Sequence, residues 1–518
     1  MLKNQHIPYK IVITGLTRNL FQLIVILFLA SQTLNAQYFN NRYPVTDGWG
    51  GGGLNAIEND SGYISVGVYL SLTTGKQNIH VLQTDFNGNI TFQKIYGDNT
   101  YSYFNGFQNS LTKLVGGGYA LYGGKNSGSQ GSNFAMLFRF NEFGDTLWTK
   151  TYGDTVFFQT GRHMRQALDG GFILFGDNTQ TAAQHWVIKT DSLGNIEWQQ
   201  TYGGPAAEGP RHIAVCTDGG YIFTGLTQSG GVNPSTGNIR ITKIDSLGNV
   251  VFNKFYGLSE EEVPWSIEQT QDGGYIFGGG ITFPANNLSH PYVMRLDNLG
   301  DTLWTKVYPA PTGNSPLNYI NTIFELPDGS FIAGGMDYFT DSISIGKNVG
   351  FIVKIKANGD TLWRKEYILL TGPSSFHEIK DIRPTTDGGF ICSGVINPAF
   401  PDTGTQDMWL FKIDSNGCVD TSNCWVSVGI KAPQPPKGEL VLYPNPTSGV
   451  VTIEIPKQTA KPNATFHLID ITGKEVLTKI INSNSTQLDV GWLPKGIYFY
   501  RYLDKENQFN YSGKLVVN

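Results

Sequence analysis

Most of the chain is patterned as short, strand-sized segments punctuated by glycine-bearing turns. One stretch shows the pattern in full. Ser266–Thr270 reads as a short, fairly polar strand, and Asp272-Gly-Gly follows as a hairpin turn because glycine accepts positive φ. Tyr275–Gly278 is a short apolar strand, Tyr292–Asp297 a third strand, and Leu303–Tyr308 a fourth, with the turn Asp297-Asn-Leu-Gly-Asp between the last two.

This unit recurs. The glycine of the Asp/Asn-x-x-Gly-Asn/Asp turn falls at Gly88, Gly144, Gly194, Gly248, Gly300, Gly359 and Gly417. A second marker, Asp-Gly-Gly-aromatic or a close variant, precedes each copy and ends at Tyr63, Tyr119, Phe172, Tyr221, Tyr275, Phe331 and Phe390. Two independent markers give seven units, and four antiparallel strands per unit match a propeller blade. The seventh unit supplies only three strands. Gln37-Tyr-Phe-Asn-Asn-Arg-Tyr43 resembles the missing fourth, so residues 37–43 are expected to pair with 407–414 and remove the open edge. The expected fold is all-β: a seven-bladed β-propeller over 37–425, closed by the N-terminal strand, then a Pro-rich linker at 426–438 and a small β-sandwich at 439–518.

Composition narrows the function classes. Lys and Arg number 37 against 42 Asp and Glu, so the net charge is 37 − 42 = −5. No basic excess points to nucleic acid. The N-terminus carries Lys3, Lys10 and Arg18, the apolar run 20–30, and a small residue at Ala36. This reads as a signal peptide cleaved near Ala36, the run being shorter than the ~20 residues of a membrane span. No transmembrane span is expected in the mature chain. In that oxidising route Cys418 and Cys424 read as a local disulfide, while Cys216 and Cys392 read as small buried residues.

The last 80 residues carry an ordered motif set: Tyr443-Pro444-Asn445-Pro446 with Gly449, then Ile469-Asp-Ile-Thr-Gly473, then Leu493-Pro-Lys-Gly496-Ile-Tyr498, then Gly513-Lys514-Leu-Val-Val. This segment resembles the type A sorting domain of the type IX secretion system. The resemblance implies a Bacteroidota-type source, the secretion machinery as partner through residues 439–518, and a protein released or attached at the outer-membrane surface. The repeat also resembles Asp-Gly-Gly-Tyr repeats of large surface proteins with this sorting domain. Its turn is closer to the tryptophan-docking repeats of quinoprotein propellers than to the Asp-box of sialidases.

No nucleophile elbow, zinc-protease, phosphate-loop or dinucleotide motif is present. The sequence calls for no catalytic residue, no cofactor and no metal. Repeated turn aspartates such as Asp191, Asp245 and Asp297 read as caps of their own turns, and repeated cations such as Lys189, Lys243 and Arg295 as scaffold. Departures from the repeat are better site candidates. Arg162 and Arg211 share one inner-strand position, with His163 and His212 beside them; Trp265 takes that position in the next unit, after Glu261 and Glu262. Together they predict a channel-mouth site for a glycan or other surface ligand, by charge and stacking. The expected role is a non-catalytic binding or adhesion module; the alternative is a propeller enzyme acting on extracellular polysaccharide.

Overall fold

The computed structural model describes residues 38–45, 48–107, 110–127, 133–154, 157–179, 182–230, 238–257, 261–283, 288–308, 318–340, 346–370, 375–397, 406–419, 440–455, 464–470, 474–503 and 510–518. The segment read as a signal peptide, Cys424 and the Pro-rich stretch lie outside them. The chain divides into two compact units, Met1–Gly429 and Ile430–Asn518.

Every regular element among the described residues is a strand. Among the described residues, the first unit contains seven antiparallel sheets, six of four strands and one of five. The third is typical, running Gln159–Gln166, Phe172–Asn178, Gln184–Thr190 and Ile196–Tyr202 in that order. Its two middle strands, FILFGDN and QHWVIKT, are buried almost throughout, because sheets lie on both faces. Its fourth strand is largely exposed, which is why that strand alternates polar and aromatic residues. The first strands of successive sheets pack against one another, and that of the first sheet packs against that of the seventh.

The turn glycines explain how neighbours fit. Gly248 holds φ +87°, and a Cβ there would press on Trp198 of the preceding sheet at 3.2 Å. The preceding sheet's fourth-strand tyrosine then donates its hydroxyl to the turn carbonyl: Tyr202 to Gly248 at 2.7 Å, Tyr152 to Gly194 at 2.9 Å, Tyr308 to Gly359 at 2.7 Å and Tyr367 to Gly417 at 2.8 Å. Tyr96 to Gly144 and Tyr256 to Gly300 make the same bond. The seventh member is Tyr43, which reaches Gly88 of the first sheet at 2.6 Å.

Tyr43 sits on Phe39–Tyr43, which occupies the fourth-strand place of the last sheet. It pairs antiparallel with Asp407–Ile413, from Phe39 opposite Lys412 to Tyr43 opposite Met408. Trp409 beneath it is fully buried and donates its indole N–H to Asn40 at 2.6 Å. Phe39, Tyr43, Met408 and Leu410 share one apolar cluster with Ala56, Tyr63 and Leu82 of the first sheet.

Two readings of the sequence need correction. The first strand of the fifth sheet is Glu261–Gln269, not the short segment from Ser266. Its upstream half, Glu261-Glu-Val-Pro264, lacks strand-like composition, and a bulge at Trp265 lets it join the ladder. The second sheet has its inner strand split into Ser102–Asn105 and Leu111–Lys113. Between them Phe107 N–H leaves its own sheet and donates to Arg162 O at 2.6 Å.

The second unit pairs a three-stranded sheet (Val441–Tyr443, Val450–Glu454, Ser485–Asp489) with a four-stranded one (Glu475–Ile481, Ala464–Ile469, Gly496–Leu503, Asn510–Val517). Val451, Ile453, Phe466, Leu468, Tyr502 and Leu515 fill the core. The sequence reading missed Glu475–Ile481, a mostly exposed edge strand whose EVLTKII shows no clean alternation.

The last sheet's added strand yields a stability test. Trp409→Ala is expected to cost ~3–5 kcal/mol in denaturant unfolding, and Tyr43→Phe about 1 kcal/mol. Leu299→Ala, at an exposed turn position, should stay within about 0.5 kcal/mol of the parent. Equal effects at all three positions would contradict the role of the Phe39–Tyr43 strand.

Candidate functional site

The inner strands share one irregularity. Register breaks between Gly161 and His163, Pro210 and His212, Pro264 and Ser266, Ile320 and Thr322, and Ile379 and Asp381. A bulge leaves one residue out of the ladder and re-aims its side chain. Those residues are Arg162, Arg211, Trp265, Asn321 and Lys380. In the second sheet Phe107 stands in the corresponding gap.

These bulges bring three of the predicted residues together. Arg211 lies over the Phe107 ring at 5.2 Å and the Trp265 ring at 4.8 Å. Arg162 lies over the same Phe107 ring, a residue the sequence reading did not single out, at 4.7 Å. The Phe107 and Trp265 rings meet edge to face at 6.1 Å, and Tyr319 packs on Trp265 at 5.5 Å. Arg162 pairs with the buried Asp177 at 2.5 Å, and Thr160 donates to the same carboxylate at 3.0 Å. Further along, Glu378 accepts from Tyr319 at 3.0 Å, Asn321 at 2.9 Å and Lys380 at 2.6 Å. Burial lowers the Arg211 pKa to about 10, with the Arg162 charge adding in the same direction.

The histidines occupy another level. His163 and His212 are fully buried with ring centroids 3.8 Å apart. Arg165 reaches both, its Nη1 3.0 Å from His163 Nε2 and its Nη2 3.3 Å from His212 Nε2. Arg165 also pairs with Glu268 of the fifth sheet at 2.7 Å. Asp381 of the seventh sheet is buried, paired with Arg383 at 3.2 Å, and its pKa is raised by desolvation. Arg165 and Arg383 line a cavity of about 360 Å³ with Glu58 and Lys113. Burial drives both imidazoles well below the usual histidine range, and the other histidine and Arg165 push the same way at His163.

Glu262 is buried on a different side of its strand, beside Gly257 and Tyr292. Its neighbour Glu261 lies on the same strand, with its side chain outside the described residues. Asn321 and Lys380 escaped the sequence reading, though each stands seven residues before its turn aspartate (328 − 7 = 321; 387 − 7 = 380), as Arg162, Arg211 and Trp265 do. Phe107 left no such signal, because the second unit has Gly116 in place of that aspartate and an irregular stretch before it.

The repeated polar residues are occupied structurally. Lys189, Lys243, Arg295 and Lys412 bind Asp169, Asp218, Asp272 and Asp387 of their own sheets. Asp191 accepts from Leu193 N and Asn195 N within its own turn. Cys216 and Cys392 are buried free thiols, and Cys418 is disulfide-bonded.

In the second unit the motif residues do local work. Asn445 accepts from Val516 N at 2.9 Å and donates to Lys514 O at 2.7 Å, tying the Tyr443-Pro444-Asn445-Pro446 segment to the C-terminal strand. Tyr498 donates to Pro494 O at 2.7 Å. Gly449 O accepts from Val490 N at 2.9 Å. Gly496 pairs with Val517 and Lys514 with Phe499 across the sheet. Gly473 lies outside the described residues.

Comparison with known proteins assigns this unit. The family model of the secretion system C-terminal sorting domain matches residues 441–518. No curated protein sequence matches the chain. Among solved structures, a polysaccharide lyase of family PL25, an ulvan lyase, is similar with a TM-score of 0.46 and 9% identity, covering 74% of this chain and 97% of that one. The β-propeller domain of the Trilobed protease from Pyrococcus furiosus scores 0.41 at 8% identity, covering 74% and 100%. Cobalt-substituted Synechocystis ACO scores 0.42 at 12% identity, covering 73% and 91%. These are distant likenesses of fold and say nothing of chemistry. Among the described residues no helix is long and apolar enough to cross a membrane.

The buried imidazoles generate a pH test. Burial takes His185 down to about 3 and His377 to about 4, and lowers His163 and His212. In the unfolded chain each titrates near ~6.5. Below that pH the unfolded chain takes up protons the folded one refuses, so stability present above about pH 6.5 is lost as pH falls toward the folded values. The melting temperature should drop between pH 7 and pH 5, while the His163 and His212 ring signals in NMR stay unshifted. A flat melting temperature, or titration of those signals, would contradict the buried layer.

Proposed function

We infer that the sorting domain at 441–518 brings this chain to the secretion system and to a secreted or cell-surface destination.

We propose that this is a surface protein of Bacteroidota type, with a signal peptide at 1–36, a closed seven-bladed propeller over 37–425, a linker at 426–438 and a type A sorting domain at 439–518. The propeller serves as a non-catalytic binding module for an extracellular ligand. The observation that carries the binding reading is the cluster of Arg162, Arg211, Phe107 and Trp265, which different sheets deliver to one place. Closure is supported by the Tyr43–Gly88 bond, which repeats between last and first sheets the contact made between the others. The carboxylates near the cluster are engaged, Asp177 by Arg162 and Glu378 by Tyr319, Asn321 and Lys380. That engagement favours recognition over acid–base catalysis.

Two measurements test this. Deleting residues 437–518 should leave the protein in the periplasm, and normal surface delivery of the truncation would refute the export route. On an array of neutral and acidic glycans the mature protein should retain at least one class without shortening it. New chain ends in the recovered glycan would instead establish the polysaccharide-acting enzyme.

A further inference from the structure

The arginine cluster holds one more positive charge than its carboxylates neutralise. Asp177 is committed to Arg162 at 2.5 Å and is shared with Thr160. Arg211 makes no ion pair among the described residues, and Asp177, paired with Arg162, acts on it only through its charge; its hydrogen bond is Nη1 to Pro210 O at 3.4 Å. Its Nε is shielded from solvent and makes no hydrogen bond, and the same holds for the indole N–H of Trp265. A largely buried guanidinium beside another guanidinium is costly unless an anion completes it. Its equivalents on the next two inner strands are the uncharged Trp265 and Asn321, so the position does not require a cation to fold.

The aromatic rings are spent on the protein itself. Phe107 and Trp265 flank Arg211, and Tyr319 packs against Trp265. They hold the guanidinium plane in place rather than offering a free face to a sugar ring. What the cluster presents is a fixed fork of N–H donors, which matches the two oxygens of a carboxylate or sulfate.

We propose that Arg211, supported by Arg162 and the Trp265 indole N–H, is a binding position for a single oxyanion, the carboxylate or sulfate group of an acidic saccharide or a free anion of that chemistry. The inference rests on the binding reading above and narrows it to charged ligands. One surplus charge in a chain of net charge −5 suits a discrete acidic group, not a long polyanion wrapped on a basic face.

The test uses the whole mature protein. Calorimetric titrations with sodium glucuronate, sodium sulfate and neutral glucose should show binding of the acidic probes and none of glucose. Arg211→Met should weaken glucuronate binding about tenfold or more. Arg211→Lys, keeping charge but losing the fork, should fall between. Trp265→Phe, which loses the N–H and keeps an aromatic side chain, should weaken glucuronate binding in a protein that still unfolds cooperatively, and it serves if Arg211→Met fails to fold. Glucuronate bound more tightly than sulfate marks a saccharide acid as the source; sulfate bound as tightly marks a free anion or sulfate ester. Absence of binding by both anions, or Arg211→Met and Trp265→Phe binding like the parent, would overturn the proposal. Retention of a neutral glycan on the array would then leave the binding reading standing without it.

Discussion

The first unit depends on a hydrogen bond between a buried tyrosine hydroxyl and the carbonyl of a glycine turn one sheet away. Each partner needs the other's local structure. The glycine must hold positive φ for the turn to form, and a side chain there would strike the aromatic residue of the preceding sheet, as at Gly88 against Phe39. The aspartate at the start of the turn caps two backbone N–H groups, so the carbonyl is delivered rigidly. Burial raises the tyrosine pKa, to about 12 at Tyr43 and Tyr96, so the hydroxyl keeps its proton throughout the physiological range. One such bond contributes about 1 kcal/mol. Its force comes from repetition across every sheet boundary described, including the boundary between last and first.

That division of labour leaves the inner strands free to vary. The turn aspartates and third-strand cations neutralise each other within a sheet, and the tyrosines join sheet to sheet. Neither task uses the bulged position of the inner strand. The residues there differ from sheet to sheet: Arg162, Arg211, Trp265, Asn321, Lys380. A repeat gives identical residues to scaffold and different ones to a site, because a single ligand touches several sheets with different groups. The bulge is the local device that makes the difference possible, turning one side chain out of the ladder while its neighbours stay paired.

Much of this was legible in the sequence because glycine and aspartate turns encode backbone geometry directly. Gly88 through Gly417 and the Asp-Gly-Gly turns marked the repeating unit, and the likeness of residues 37–43 to later fourth strands pointed to a partner at 407–414, where the pairing runs from Phe39 to Tyr43. Bulges left no local mark. Without them alternation places His163 on the opposite side from Arg162 but cannot say that the histidines stack into a sealed layer with Arg165. Phe107 was invisible because its position arises from a strand broken in two and a backbone bond to another sheet. Glu262 misled because two adjacent glutamates look like a charged mouth, whereas one of them is buried beside Tyr292.

The two polar levels of the inner strands differ in their charge balance, and on the binding reading proposed above that difference separates structure from recognition. At the histidine level Arg165 is answered by Glu268 and Arg383 by Asp381, while the two imidazoles are held neutral by burial. The two guanidinium charges are matched there, although His212 Nδ1 and Asp381 Oδ1 are buried without a hydrogen-bond partner among the described residues, and a paired set of buried charges suits a plug that fixes how the third, fifth and seventh sheets meet. At the bulge level the pairing of Arg162 with Asp177 leaves Arg211 stacked between rings without an ion pair of its own among the described residues, the Asp177 charge reaching it only at longer range. A fold that pairs Lys189, Lys243, Arg295 and Lys412 each with an aspartate had the means to supply one here. On the oxyanion proposal, that missing partner is a place kept for something outside the chain and not an imperfection of packing.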